Sequence, residues 1–210
     1  MIRNVVFDVG GVLLRLKYQP FIAYLGAAGI DMTDLPGWLT KVDLAGHERG
    51  DLPGEELLGR ISAMAERSLD PAELRERWLD MFERWDEMFA LASGLMADYR
   101  VYLLSNVGDL HWSYLDRRYG LESLVHGACA SFRVGAIKPS ADIYRRAESM
   151  FGLSPAATVF IDDLPQNVEG ARECGWHAIH HRDAPVTRAD LRSLGVRLPA
   201  PFANPADEPG

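Results

Sequence analysis

The stretch from Ile2 to Leu14 constrains the chain more than any other. It reads as an apolar run, Val5-Val6-Phe7, that ends on Asp8, then Gly10-Gly11, then a second apolar run from Val12. Three residues that favour extended backbone before an acid predict a short buried strand. Two glycines just past it allow a sharp turn and a close backbone approach to a ligand. In open α/β sheets, ligands sit outside the carboxyl ends of the strands. Asp8 is therefore expected to point into a cleft, as a carboxylate nucleophile or a metal ligand.

The rest of the chain fits around that strand. After Leu16 the pattern turns helical, with Phe21, Ile22, Tyr24 and Leu25 on one face. Asp31 to Asp34 offer caps for a short helix or turn that carries Trp38, Leu39 and Val42. His47-Glu48-Arg49-Gly50-Asp51 reads as a polar loop, and Glu55 to Ala65 as a helix. Asp70-Pro71-Ala72-Glu73 is a capping box that starts a helix bearing Leu74, Trp78, Leu79 and Phe82. Residues 17–86 are thus expected to be helical, with no strand. A helix over Met88–Tyr99 precedes the strand Val101–Leu104, which ends on Ser105-Asn106. Asp109 starts a helix, and His111 within it is expected at the surface. Val125–Ala130 is a weaker strand. Ser140 caps a helix with Ile143, Tyr144, Ala147, Met150 and Phe151 on one face. Thr158–Ile161 is a strand ending on Asp162-Asp163, followed by a helix to Cys174, a strand over Trp176–Ile179 and a helix over Thr187–Leu194. Strands alternating with helices predict an α/β chain with a parallel, Rossmann-like sheet. The helical block reads as an inserted cap (17–86) on a core made of residues 1–16 and 87–198. Residues 199–210, with four prolines, read as a mobile tail.

Composition narrows the function. A hydrophobic content of 48% over 210 residues suits a globular protein with a sizeable core. The net charge of −8 argues against non-specific nucleic-acid binding. Cys129 and Cys174 have no metal-binding spacing and read as buried thiols. No apolar run approaches the ~20 residues of a membrane helix, and Asp8 interrupts the only N-terminal candidate for a signal peptide. The expectation is a cytoplasmic protein without membrane or nucleic-acid partners. Oligomeric state is not legible.

Four polar signals follow strand ends in chain order: Asp8, Ser105-Asn106, Lys138-Pro139, and Asp162-Asp163 with Asn167. In this respect the chain resembles the haloacid dehalogenase (HAD)-like hydrolase superfamily over about residues 1–195. Phe7 to Val12 resembles its first motif, Leu104 to Asn106 the second, Gly135 to Pro139 the third and Phe160 to Asn167 the fourth. The helical insert resembles the type-one cap. The segment His47 to Gly50 resembles a cap segment of the branch containing sugar-phosphate phosphatases and the phosphatase domain of soluble epoxide hydrolase.

The resemblance implies a magnesium-dependent phosphatase that acts on a small phosphorylated metabolite, with a sugar phosphate as first candidate. Asp8 would be the nucleophile, forming an aspartyl-phosphate that splits one hydrolysis into two easier steps. Asp8, Asp163 and the Gly10 backbone carbonyl would ligate Mg2+, with Asp162 behind them holding a metal-bound water. Ser105 and the Asn106 amide would bind phosphoryl oxygens. Lys138 would neutralise charge on nucleophile and phosphate, and Asn167 would orient Lys138 or an acid. His47, Glu48 and Arg49 are the candidates for specificity in the cap.

One departure stands out. Many phosphatases of this superfamily carry an aspartate two residues after the nucleophile as general acid and base, and here that position is Gly10. Such help is typically worth ~10²–10⁴-fold in rate. Either the leaving group needs little protonation, or a cap residue such as His47 or Glu48 replaces the acid, or the protein is a catalytically weak binder of a ligand or partner. The other enzymatic alternative is a metal-independent 2-haloacid dehalogenase, in which the same aspartate attacks carbon. The adjacent acids Asp162 and Asp163 argue against it.

Overall fold

The computed structural model describes residues 1–202. Along the chain, β1 (Asn4–Phe7) leads through a tight turn into β2 (Leu14–Leu16). Five helices follow: α1 (Gln19–Ala27), α2 (Leu35–Val42), α3 (Leu44–Arg49), α4 (Gly54–Ala63) and α5 (Pro71–Leu79). Then come β3 (Phe82–Arg84), α6 (Asp86–Leu95), β4 (Arg100–Ser105), α7 (Asp109–Tyr119), α8 (Leu121–Leu124), β5 (Ala128–Ala130), α9 (Ser131–Val134) and α10 (Ala141–Phe151). The chain continues with β6 (Thr158–Asp162), α11 (Pro165–Glu173), β7 (His177–His180) and α12 (Ala184–Ser193).

The main sheet has the order β5-β4-β1-β6-β7, with all four pairings parallel. Parallel strands need crossover helices, which cover both faces and make the central strands apolar throughout. Alternation along β1 divides the core in two. Val5 and Phe7 pack with α6, α7 and α12 on one face, and Val6 packs with α10 and α11 on the other. Phe7 pairs with Leu103 on β4 and with Ile161 on β6. That register brings the ends of β4, β1 and β6 to one level, so Asp8, Ser105 and Asp162 emerge together. They do so where the connection from β1 to β4 and the connection into β6 cover opposite faces of the sheet, which is where α/β folds bind ligands.

Helices α1–α5 bury a separate apolar cluster containing Phe21, Leu25, Trp38, Leu57, Ile61 and Trp78. Their caps follow from the sequence. Asp34 accepts from the Gly37 amide, and Asp70 from the Ala72 and Glu73 amides. Two expectations fail in this region. The segment was expected to contain no strand, yet β3 pairs antiparallel with β2, matching Leu16 with Phe82 and Leu14 with Arg84. Phe82 therefore belongs to a ribbon, not to the face of α5. Three residues are too few to show a period of two, so only the tertiary pairing reveals this strand. His47 to Arg49 form α3 and not a loop. Asp43, in the left-handed region at φ 61°, closes α2 and caps α3 by accepting from the Gly46 amide.

Smaller differences occur elsewhere. Met150, expected on the buried face of α10, is exposed. Cys129 and Cys174 are buried thiols. Pro199 packs against Gly94, where an added Cβ would lie 2.6 Å from its ring. Of the expected mobile tail (199–210), residues 203–210 lie outside the described residues. No helix among the described residues is long and apolar enough to cross a membrane.

Candidate active site

Lys138 organises the floor of the cleft. Its side chain is 1% exposed, and its Nζ lies 2.9 Å from Asp8 Oδ1, 2.6 Å from Asp162 Oδ2 and 3.1 Å from the Leu104 carbonyl oxygen. Three acceptors match the three protons of an ammonium group. Burial alone would push its pKa down, but Asp8 and Asp162 outweigh that and hold it above the ordinary lysine value. Asn106 fixes the backbone of the same residue from both sides. Its Nδ2 donates to the Lys138 carbonyl at 3.0 Å, and its Oδ1 accepts from the Lys138 amide at 2.8 Å.

Asp8 sits beside that ammonium. Its Oδ1 also accepts from the Val9 amide at 2.7 Å, so both contacts fall on one oxygen and leave Oδ2 outside them. Burial raises its pKa well above the usual carboxylate range; repulsion from Asp162 and Asp163 adds to the rise and Lys138 opposes it. The Asp163 carboxyl is raised for the same reasons, burial first and Asp162 next. Gly11, at φ 76°, makes room for it, because a Cβ there would overlap the Asp163 carboxyl.

Asp162 has no exposure, and donors of the protein hold both its oxygens. Oδ1 accepts from the Leu164 amide at 2.8 Å and from Asn167 Nδ2 at 3.0 Å; Oδ2 takes Lys138. The Asn167 carbonyl in turn accepts from the Tyr144 hydroxyl at 2.7 Å. Asp162 thus anchors Lys138, and Asn167 anchors Asp162. One oxygen from each of Asp8, Asp162 and Asp163 lies within 4.8 Å of the others. Three carboxylates this close, two of them buried, with one lysine between them leave an excess of negative charge that a hard divalent cation would relieve.

A cavity of about 380 Å³ opens above this floor. Asp8, Gly10, Ser105, Asn106, Lys138, Asp163 and Asn167 all line it, as do His47 and Glu48 from α3. Arg49 is not among its lining residues and pairs with Asp51 at 2.5 Å. His47 is 1% exposed; its Nδ1 donates to the Leu52 carbonyl at 2.9 Å, and its ring packs on Gly108, where no Cβ would fit. Burial pushes the Glu48 carboxyl up to about 7, with Lys138 opposing. A group of that pKa can both give and take a proton near neutrality.

Several contributing residues carried no signal in the sequence. His111, expected at the surface, is buried. It stacks on Trp78 with centroids 4.6 Å apart, and its Nε2 donates to the Trp78 carbonyl at 2.7 Å. Burial drives its pKa down to about 4, so the ring is neutral. The Ser131 hydroxyl accepts from the Val107 amide at 2.9 Å and contacts the Glu48 carbonyl, tying α3 to the loop after β4. Asp109 accepts from the Gly54 amide at 3.0 Å across the same seam. Segments distant in the sequence make these contacts, and no local pattern marks them.

Comparisons with known proteins show the family. The family model for haloacid dehalogenase-like hydrolases matches residues 2–175. The D-ribitol-5-phosphate phosphatase of Bacteroides thetaiotaomicron is 27% identical over 202 residues, covering 91% of this chain and 97% of that protein. The flavin mononucleotide hydrolase 1 of Arabidopsis thaliana is 25% identical over 198 residues, covering 93% of this chain and 79% of its own length. A HAD family enzyme from Bacteroides thetaiotaomicron, solved with magnesium and inorganic phosphate, superposes with a TM-score of 0.77 at 25% identity, covering 87% of this chain and 95% of that one. The buried lysine between two aspartates at the ends of β1 and β6, and the family match over most of the length, place this chain among the haloacid dehalogenase-like hydrolases.

Proposed function

We propose that the protein is a magnesium-dependent phosphomonoesterase that works through an aspartyl-phosphate on Asp8. The single observation that carries this reading is the position of Lys138, which contacts Asp8 and Asp162 while Asp163 completes the acidic cluster. The relative solved with magnesium and phosphate, and the relatives named a D-ribitol-5-phosphate phosphatase and a flavin mononucleotide hydrolase, support it. Asp8, Asp163 and the Gly10 carbonyl would hold Mg2+, which when bound neutralises charge on the phosphoryl oxygens and the nucleophile.

The remaining chemistry belongs to side chains. Asp8 attacks phosphorus, and the bond from phosphorus to the ester oxygen breaks. Lys138 offsets the charge that accumulates on the transferring group, while Ser105 and the Asn106 amide hold its oxygens. Glu48 takes the role that Gly10 cannot fill. It protonates the leaving alkoxide, then removes a proton from the water that attacks the aspartyl-phosphate, returning Asp8 as a carboxylate. His47 is the weaker candidate, because its Nδ1 is committed to the Leu52 carbonyl and its ring is wedged on Gly108. Residues 17–86 act as the cap on this reading, closing over the substrate and excluding water. The substrate is a small phosphorylated metabolite. A metal-independent dehalogenase would have no use for Asp163 beside Asp8 and Asp162.

The test is hydrolysis of p-nitrophenyl phosphate and acetyl phosphate with Mg2+ or EDTA, beside Asp8→Asn. Both substrates have good leaving groups, so turnover should need Mg2+ and vanish in the variant. No turnover of either substrate by the wild-type protein would sink the reading.

A further inference from the structure

The floor of the cavity suits a phosphoryl group, but the walls above it are mainly apolar. Among the residues lining the cavity, the charged ones are Asp8, Lys138, Asp163 and Glu48. The walls are apolar, built from Phe21, Ile22, Trp38, Leu39, Trp78 and Met81. Phe21, Trp78, His111 and Phe82 join edge to face and face to face at centroid distances of 5.4, 4.6 and 4.9 Å, forming one aromatic wall. The polar groups on these walls are mostly committed. His47 Nδ1 is bound to the Leu52 carbonyl, and His111 Nε2 to the Trp78 carbonyl. The fully buried atoms without a partner at lining residues are Trp38 Nε1, Trp78 Nε1 and His47 Nε2, and the Glu48 carboxyl and Tyr18 hydroxyl add two polar groups, few against the carbon that makes up most of the walls.

The mouth continues the pattern. The described residues include six exposed large hydrophobic side chains, and three of them, Leu16, Tyr18 and Leu164, line this cavity at 47%, 43% and 43% exposure. Exposed apolar side chains gathered at one opening mark a binding surface. The volume of about 380 Å³ corresponds to a dozen or so water-sized groups. That is room for a phosphoryl group and a body of several carbons, with the mouth open to a longer one.

We propose that the alcohol carried by the substrate is predominantly apolar, an aliphatic or ring-built monophosphate ester, and not the sugar phosphate that the sequence resemblance suggests. This rests on the phosphatase reading above. A polyol in this cavity would leave most of its hydroxyls against carbon. Each such burial lowers affinity by about fivefold or more. Each enclosed methylene raises it by about fourfold.

The experiment compares kcat/KM for n-propyl through n-octyl phosphate, whose leaving groups are alike, with ribitol 5-phosphate and glucose 6-phosphate. Acetyl phosphate runs beside them as the reporter of the phosphatase chemistry. Calorimetry with the matching alkyl phosphonates reads binding without turnover. The expected result is a rise of about fourfold per methylene until the cavity is filled, with both polyol phosphates well below the octyl ester, and the same ranking in phosphonate binding. Leu16→Asn, at a half-exposed position outside the core, should flatten the gain per methylene. A flat alkyl series with acetyl phosphate still hydrolysed, or polyol phosphates preferred, overturns this inference and leaves the phosphatase reading standing. No hydrolysis of any compound, acetyl phosphate included, overturns both.

Discussion

The floor of the cavity holds Asp8, Lys138 and Asp162 in direct contact, with Asp163 alongside, whereas its walls hold Trp38, Leu39, Trp78 and Met81 and one carboxyl, that of Glu48. Asp8 and Asp162 stand at the ends of adjacent strands in fixed register, and Lys138, from the loop between α9 and α10, is held against them by its ion pairs and by Asn106. The walls come from helices with a core of their own. Phosphoryl chemistry needs preorganised charge, which a sheet edge supplies. Choosing a leaving group needs only shape and polarity, which packed helices can vary without disturbing the floor.

Breaking the floor should cost most. Lys138→Met leaves Asp8 and Asp162 buried without their counter-ion, and removing one partner of such a pair typically costs about 3–5 kcal/mol. Urea denaturation should show that loss, together with a fall in kcat of at least about 10²-fold. Glu48→Gln tests the proposed acid. It should slow phosphoryl transfer from alkyl phosphates to Asp8 by about 10²-fold or more, yet barely change the rate at which acetyl phosphate forms the aspartyl-phosphate, since acetate leaves without a proton; the water step that follows should slow with either substrate. The pH profile sharpens the distinction. With the Glu48 carboxyl near 7, the protonated acid is present below that pH and lost above it. The kcat for alkyl esters should therefore fall on the alkaline side of about pH 7 in the wild type, and the variant should lack that limb.

The seam between the two regions comes next. Gly108→Ala places a methyl group on the His47 ring and should destabilise the protein by about 1–3 kcal/mol through overpacking, measured as a lower Tm. Met150→Lys, far from both regions on the exposed side of α10, should change stability by no more than about 0.5 kcal/mol in the same assay.

The same division governs what could be read from sequence. The strands β1, β4 and β6 are legible because central strands of a parallel sheet are continuous apolar runs, and a polar residue directly after such a run has few places to go except the cleft. Asp8, Ser105 and Asp162 were located in this way. Lys138 and Asn167 needed the resemblance to a known order of motifs, since each alone resembles an ordinary loop or helix residue. The walls were not legible. Trp38 and Trp78 show only that a helix has an apolar face, and nothing local says that part of this face lines a cavity. The sequence puts His111 at the surface because its cover, Trp78, lies on α5, a separate element thirty-three residues away. The segment His47 to Arg49 reads as a loop in the sequence because a six-residue helix is too short for a period. The strand β3 was missed for the same reason.

The most direct test of the central claim is the covalent state of Asp8 during turnover. Wild-type protein mixed with Mg2+ and acetyl phosphate, quenched in acid and analysed by peptide mass spectrometry, should carry one phosphoryl group on the peptide containing Asp8. The adduct should be absent with EDTA and absent in Asp8→Asn. Undiminished turnover in Asp8→Asn, or a phosphoryl group on a different peptide, would contradict it.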